Sequence, residues 1–189
     1  MPDAQDIIRS IINVNYAGEF GAIRLYSGQL LIAQVFHPEM TNIIRTIRHD
    51  EKKHCALFLE IMPSYGLRPC RLTWIWAVAG FLLGITTPLL GKRALLTSIK
   101  AAEDTAHEHL GAQIRYLQSH DIRLAKTIAE VQTEEQRHVT ISKSELGNAT
   151  ASRYETLVYN TVYTLCQITM WLVTRGASSQ LRQSLEHVS

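Results

Sequence analysis

The sequence predicts an all-α protein, and three observations predict it. No stretch of the 189 residues sustains the period-two alternation of a half-buried strand. Helix breakers divide the chain at His37-Pro38, at Pro63-Ser64-Tyr65-Gly66-Leu67-Arg68-Pro69, at Ser119-His120-Asp121, at Gly147-Asn148 and at Gly176. Between the breakers, apolar residues recur at three- and four-residue spacing, which is the stripe of a helix packed on one side. At this length and 46% hydrophobic content the chain is long enough for one well-packed domain and short for two.

The first predicted helix, Gln5 to Phe36, sets Ile12, Glu19, Ile23, Tyr26 and Leu30 on one face. The second, Glu39 to Met62, aligns Ile44, Ile47, Glu51, His54, Phe58 and Ile61. There follows "LTWIWAVAGFLLGITTPLLG", Leu72 to Gly91, twenty residues without a charge. That length reaches across a bilayer, and a buried crossover segment is the plainer alternative. The third helix, Thr97 to Gln118, lines up Leu96, Ile99, Glu103, Ala106 and Leu110, and the fourth, Ile122 to Leu146, lines up Leu124, Ile128, Val131, Glu135, His138 and Ile141. A last helix, Ala151 to Thr174, is apolar on most faces, which suits packing on the others or lying against lipid.

Composition excludes several classes. A formal charge of +2 with no run of five Lys or Arg argues against a nucleic-acid partner. Cys55, Cys70 and Cys166 have unrelated spacings, so neither a disulfide framework nor a cysteine zinc site is expected. The N-terminal "MPDAQDIIRS" lacks the basic and apolar regions of a signal peptide and the Arg and Ser richness of a transit peptide. The expectation is a cytoplasmic or already processed chain.

Each apolar stripe carries acid that composition alone does not put there. An ionised carboxylate buried among aliphatic side chains costs several kcal/mol unless it is paired or holds a metal, and no Lys or Arg shares these stripes. Glu51 follows Glu19 by 32 residues, and Glu135 follows Glu103 by the same 32, each time opening a Glu-x-x-His with His54 or His138. The chain therefore reads as one helical hairpin used twice, about 5–62 and 97–146. One Glu from each of two helices and a Glu-x-x-His from each of two more is the ligand set of the ferritin-like di-iron or di-manganese bundles. The expected fold is thus an all-α ferritin-like four-helix bundle over 1–189, with an apolar crossover at 72–91 and an apolar C-terminal helix at about 151–174. Oxygen donors with one imidazole per metal suit iron or manganese better than structural zinc. Which carboxylates bridge the metals is left open by spacing.

Neighbouring residues compete for roles. Glu134 lies at i+4 from His138, and Asp50 at i+4 from His54, but only the i+3 pairs keep the 32-residue register. Asp50 and Glu134 are then candidates to orient a ligating imidazole, with Lys53 and Arg137 as charge partners, the alternative being solvated helix-face charge. His109 and His107, beyond Glu103, either approach the metals or pack. His37, His49, His120 and His187 fall near helix ends or off the stripes, where surface positions are expected.

At this point the stretch "NVNYAGEFGAIRLYSGQ" resembles the Ala-Gly-Glu-x-Gly-Ala motif of the demethoxyubiquinone hydroxylases, di-iron monooxygenases of late ubiquinone biosynthesis. "DEKKH", "AAEDTAHEHLGAQIRYL" and "TEEQRH" fall where that family has its other ligand motifs, in the same order, so the resemblance covers nearly the whole chain. It implies iron ligands at Glu19, Glu51, His54, Glu103, Glu135 and His138, two iron ions per chain in preference to manganese, and a metal-proximal His at His109. It implies a demethoxyubiquinol with a polyprenyl tail as substrate, dioxygen as co-substrate, and a new ring hydroxyl in the product. Electrons come from reduced nicotinamide or from the quinol itself; the absence of Gly-x-Gly-x-x-Gly argues against a Rossmann-type nucleotide site. Other implied partners are a membrane surface and further ubiquinone-biosynthesis proteins. The location implied is the cytoplasmic face of the cell membrane for a bacterial chain, or the matrix side of the inner mitochondrial membrane for a processed mitochondrial one. Asn15-Tyr16 stand where the family often has Asp-His, and Leu110 where some members have Tyr.

Two rivals remain at this stage. One is a ferritin- or rubrerythrin-like iron or peroxide handler, against which the uncharged 72–91 stretch argues, because a storage cage needs a hydrophilic exterior. The other is a membrane-associated helical scaffold whose acids are internal ion pairs. A single bilayer crossing at 72–91 would separate Glu51 and His54 from Glu103, Glu135 and His138. That stretch is therefore expected to lie in the membrane interface or along the bundle, with Gly80, Gly84 and Pro88 disfavouring a straight span. Arg68, Arg71, Lys92 and Arg93 bracket it as expected headgroup contacts, and Trp74 and Trp76 suit the headgroup boundary.

Overall fold

The structure, a computed structural model, describes residues 3–69, 73–148 and 150–174. Cys70, Arg71, Leu72, Gly176 and His187 lie outside them. Among the described residues the regular structure is helical throughout: α1 (Ala4–Phe36), α2 (Thr41–Ile61), α3 (Thr73–Leu89), α4 (Lys92–Leu117), α5 (Ile122–Leu146) and α6 (Arg153–Thr174). Short 3₁₀ turns, Pro38–Met40 and Met62–Tyr65, flank α2.

Local chemistry explains most boundaries. Asp121 caps α5 by accepting from the Leu124 N–H at 3.0 Å, and Tyr65 donates to its other oxygen at 2.6 Å, tying that cap to the end of α2. Ser152 and Glu155 form a reciprocal capping box on α6: the Glu155 N–H donates to Ser152 Oγ, and the Ser152 N–H to Glu155 Oε2. Gly91, at φ 107°, makes the joint between α3 and α4 in a backbone region closed to other residues.

Where α4 begins differs from expectation. It starts at Lys92 instead of Thr97, although two cations in a first turn oppose the helix dipole. Packing outweighs that cost, because Ala94, Leu95 and Leu96 are all buried.

The antiparallel hairpins α1–α2 and α4–α5 pack against each other. Asn15 and Gln113 form one rung between α1 and α4, and Tyr26 and Glu103 another, so these two helices run antiparallel. Two apolar layers lie at the two ends. One gathers Ile12, Phe58, Met62, Leu117 and Ile128; the other gathers Leu30, Met40, Ile44, Leu96 and Ile99. The acidic stripes lie between them.

Within this apolar stretch, α3 (Thr73–Leu89) packs along the bundle and runs parallel to α1. Its glycines do not interrupt it. They let two backbones touch: a Cβ on Gly80 would lie 2.7 Å from the Gly21 carbonyl oxygen, and one on Gly84 would overlap that of Leu25. His37, expected at the surface, instead donates to the Pro88 carbonyl at 3.0 Å and ties the end of α1 to that of α3. Among the described residues no helix is long and apolar enough to cross a membrane. α6 runs parallel to α4, joined by Tyr159 to Asp104 and Tyr163 to Glu108.

Two bracketing cations are already engaged. Lys92 lies 3.6 Å from Glu39 and 3.7 Å from Glu145, and Arg93 pairs with Glu155.

Candidate metal centre

Glu19 on α1, Glu51 and His54 on α2, Glu103 on α4, and Glu135 and His138 on α5 converge in the waist between the apolar layers. None is more than 8% exposed. They form two groups, each with one ligand atom per residue and all those atoms within 4.8 Å of one another: Glu19, Glu51, His54, Glu135, and Glu51, Glu103, Glu135, His138. Glu51 and Glu135 belong to both. The i, i+3 spacing puts each Glu-x-x-His pair on one face, so each helix delivers two donors inward.

Both imidazoles turn Nδ1 into the site. His54 Nδ1 lies 3.1 Å from Glu135 Oε1 and 3.5 Å from Glu51 Oε2, and His138 Nδ1 lies 3.4 Å from both Glu51 Oε1 and Glu103 Oε2. Their outer nitrogens go to the opposite hairpin. His54 Nε2 is 3.1 Å from Glu134 Oε2, and His138 Nε2 is 3.4 Å from Asp50 Oδ2. Lys53 stands 2.7 Å from Asp50 and Arg137 stands 3.6 Å from Glu134, the charge partners the spacing suggested.

Burial shapes the electrostatics. It pushes the Glu19 carboxyl well above the ordinary range, with the charges of Glu51 and Glu135 adding to it, and pushes Glu103 up to about 8, with Glu135 adding. Burial also raises Glu135, but the Glu103 carboxyl and the His138 and His54 rings beside it outweigh burial and hold that carboxyl below its usual value. Burial disfavours the imidazolium form, yet the surrounding carboxylates win and raise both His54 and His138. Without a cation the site must store protons.

Divalent ions are an apt alternative. Four carboxylates balance the charge of two such ions, and the buried Glu51 Oε1 and His54 Nδ1 have no hydrogen-bond partner. The donor set, all oxygen and imidazole, fits iron or manganese. With Nε2–H directed at Asp50 and Glu134, each ring keeps its Nδ1 lone pair for a metal.

Four other residues lie outside the two clusters. His109 sends Nε2 to Gln167 Oε1 on α6 at 2.8 Å and belongs to neither cluster, so its ring serves the α4–α6 contact. His107 also lies outside both clusters. Cys55 and Cys166 are free thiols that burial pushes up to about 11 and about 12.

Tyr26, which the helical period places on the apolar stripe of α1, has a second role. It is fully buried and donates its hydroxyl to Glu103 Oε1. The signal was present, seven residues and two turns beyond Glu19 on the same face. An open groove at the start of α4, lined by Leu90, Arg93, Tyr154 and Glu155 among others, contains none of the six residues.

The sequence profile described as "Ubiquinone biosynthesis protein COQ7" matches residues 6–173. The chain belongs to the COQ7 family. Curated COQ7 relatives include the NADPH-dependent 3-demethoxyubiquinone 3-hydroxylase, mitochondrial, of Dictyostelium discoideum, 36% identical over 72% of this chain and 64% of that protein. The 3-demethoxyubiquinol 3-hydroxylase of Rhodospirillum rubrum is 31% identical over 80% of this chain and 69% of its own length. The 5-demethoxyubiquinone hydroxylase, mitochondrial, of Saccharomyces cerevisiae is 26% identical over 93% and 81%. The chain spans 64%, 61% and 60% of the lengths of three of the curated relatives it matches.

Proposed function

We propose that this COQ7-family protein is a monooxygenase that hydroxylates the ring of a demethoxyubiquinol with a polyprenyl tail, using dioxygen and two iron ions held in a single ferritin-like domain. The observation that carries the reading is the pair of buried clusters sharing Glu51 and Glu135 in a chain whose relatives are named as demethoxyubiquinone hydroxylases. The ions would be held by Glu19, Glu51, His54 and Glu135 in one cluster and by Glu51, Glu103, Glu135 and His138 in the other. Iron bound there supplies the redox chemistry that activates dioxygen. The chain's own residues do the rest. Asp50 and Glu134 hold the outer imidazole nitrogens, which keeps each ring in one tautomer and orientation. The apolar layers on either side exclude bulk water, which keeps the reaction away from solvent.

Metal analysis after iron-replete expression should return about two irons per chain. A short-tailed demethoxyubiquinol, a reductant and isotopically labelled dioxygen should then yield product labelled in its new hydroxyl. Label arriving from water instead defeats the monooxygenase reading. Cells lacking the protein should accumulate the demethoxy precursor.

The same reading includes a membrane surface. A polyprenyl quinone resides in lipid, and Val35 and Phe36 of α1 with Trp74, Val78 and Leu82 of α3 are exposed apolar side chains on two helices packed together. The location would be the matrix side of the inner mitochondrial membrane for a mitochondrial chain and the cytoplasmic face of the cell membrane for a bacterial one, where other ubiquinone-biosynthesis proteins would be partners. Flotation with lipid vesicles tests this. Wild type should float, and Trp74→Ser with Leu82→Glu should not.

A further inference from the structure

The two halves of the site follow one pattern. In each hairpin a Glu precedes a Glu-x-x-His by 32 residues, an acid stands just before that second Glu, and a Lys or Arg stands just before the His. The repeat matches Glu19 with Glu103, His54 with His138, Asp50 with Glu134 and Lys53 with Arg137. The contacts obey it, since each outer imidazole nitrogen meets the acid of the opposite hairpin.

Tyr26 breaks the pattern. It stands seven residues after Glu19 and reaches across to Glu103, whereas seven residues after Glu103 stands Leu110, which has no hydroxyl. Because Tyr26 is level with Glu103, and Asn15 with Gln113, His109 and Leu110 are the residues of α4 level with Glu19, and the His109 ring meets Gln167 of α6. Leu110 is buried in the apolar cluster that includes Tyr16 and Cys55, three residues before Glu19 and one after His54. Among the described residues no hydroxyl or amide donates to Glu19, and His54 Nδ1 lies 3.8 Å from its Oε2.

A hydroxyl on one oxygen holds a carboxylate in one rotation. Glu103 thus has Oε1 tied to Tyr26 while Oε2 points at His138 Nδ1, 3.4 Å away. Glu19 lacks that restraint and must lose torsional freedom when it binds an ion. We infer that Tyr26 is a positioning residue that makes the Glu103–His138 position the tighter and first filled of two divalent-metal positions, and that Leu110 leaves the Glu19–His54 position the looser one. The inference rests on the dinuclear site proposed above.

The test titrates metal-free protein with Co(II), followed by visible absorption and equilibrium dialysis, with circular dichroism checking each variant's fold. Wild type should bind in two resolved steps, and crystals grown with less than one equivalent of Co(II) should show anomalous density beside His138. Tyr26→Phe should weaken the first step by about tenfold to a hundredfold and leave the second unchanged. Leu110→Tyr should tighten the second step. Should that variant not fold, the nearly isosteric Tyr26→Phe and the crystals decide alone. Equal steps in wild type, first density beside His54, or a Tyr26→Phe effect spread over both steps or absent from both would overturn the inference while leaving a dinuclear site intact. No Co(II) bound by wild type would instead overturn the dinuclear reading and this inference with it.

Discussion

His54 on α2 directs Nε2 at Glu134 on α5, 3.1 Å away, while the adjacent Glu135 presents Oε1 to Nδ1 of the same ring at 3.1 Å. Two consecutive acids of one helix therefore flank the two ring nitrogens of one imidazole from another. Only Glu135 stands inside the metal clusters.

The consequence is a sharp contrast between neighbours. Glu135→Ala should abolish metal binding while leaving helical circular dichroism largely intact, since the stripe around it is apolar. Glu134→Ala should retain metal with affinity or rate reduced by about tenfold to a hundredfold. Metal content at equal protein concentration separates them; similar loss in both would make Glu134 a ligand.

Asn15 and Gln113 exchange two buried amide hydrogen bonds, at 2.8 and 3.0 Å, one turn from Glu19. Replacing Asn15 alone with Leu should strand the Gln113 amide and cost about 1–3 kcal/mol. Asn15→Leu with Gln113→Leu should recover part of that cost. Urea unfolding of the three variants and wild type gives the coupling energy, and simple additivity would show that the pair is not a unit.

Close backbone contact between α1 and α3 makes glycines unequal. Gly84→Ala should destabilise by about 3 kcal/mol or more, because the added methyl overlaps the Leu25 carbonyl and neither helix backbone can yield locally. Gly18→Ala, with open space around the added carbon, should stabilise by about 0.5–1 kcal/mol through helix propensity. Thermal unfolding of the two single variants reads both signs.

Glu155 predicts a pH signature. Its pairing with Arg93 and the capping N–H of Ser152 hold its carboxyl down to about 2, against an ordinary value of 4.5. A carboxyl depressed in the folded state stabilises fully above the ordinary value and loses that stabilisation as pH falls toward the folded one. Wild type should therefore exceed Glu155→Gln by about 0.5–1 kcal/mol at neutral pH, the worth of a partly exposed ion pair, since Gln still serves the capping box. That gap should close between about pH 5 and pH 2; a gap independent of pH would mean that the carboxylate charge contributes nothing.

The helical class, the two hairpins and the six convergent residues were legible in the sequence because a helix imposes its period on the chain. Burying one face makes every third or fourth residue apolar, and an acid or imidazole on that face stands out as a costly exception. The repeat of 32 residues carried the register as well. What sequence could not supply was anything set by one helix's rotation against another. Glu51 and Glu135 fall in both clusters because two helices face each other at that level, and each acid just before them serves the imidazole of the opposite hairpin. Tyr26 looked like core until its hydroxyl met Glu103 from across the bundle. Gly80 and Gly84 read as features against a straight span, yet they are where two backbones touch, and α4 starts in an unfavourable first turn because its leucines are buried. Spacing along one chain determines which side chains share a face; only packing decides what that face meets.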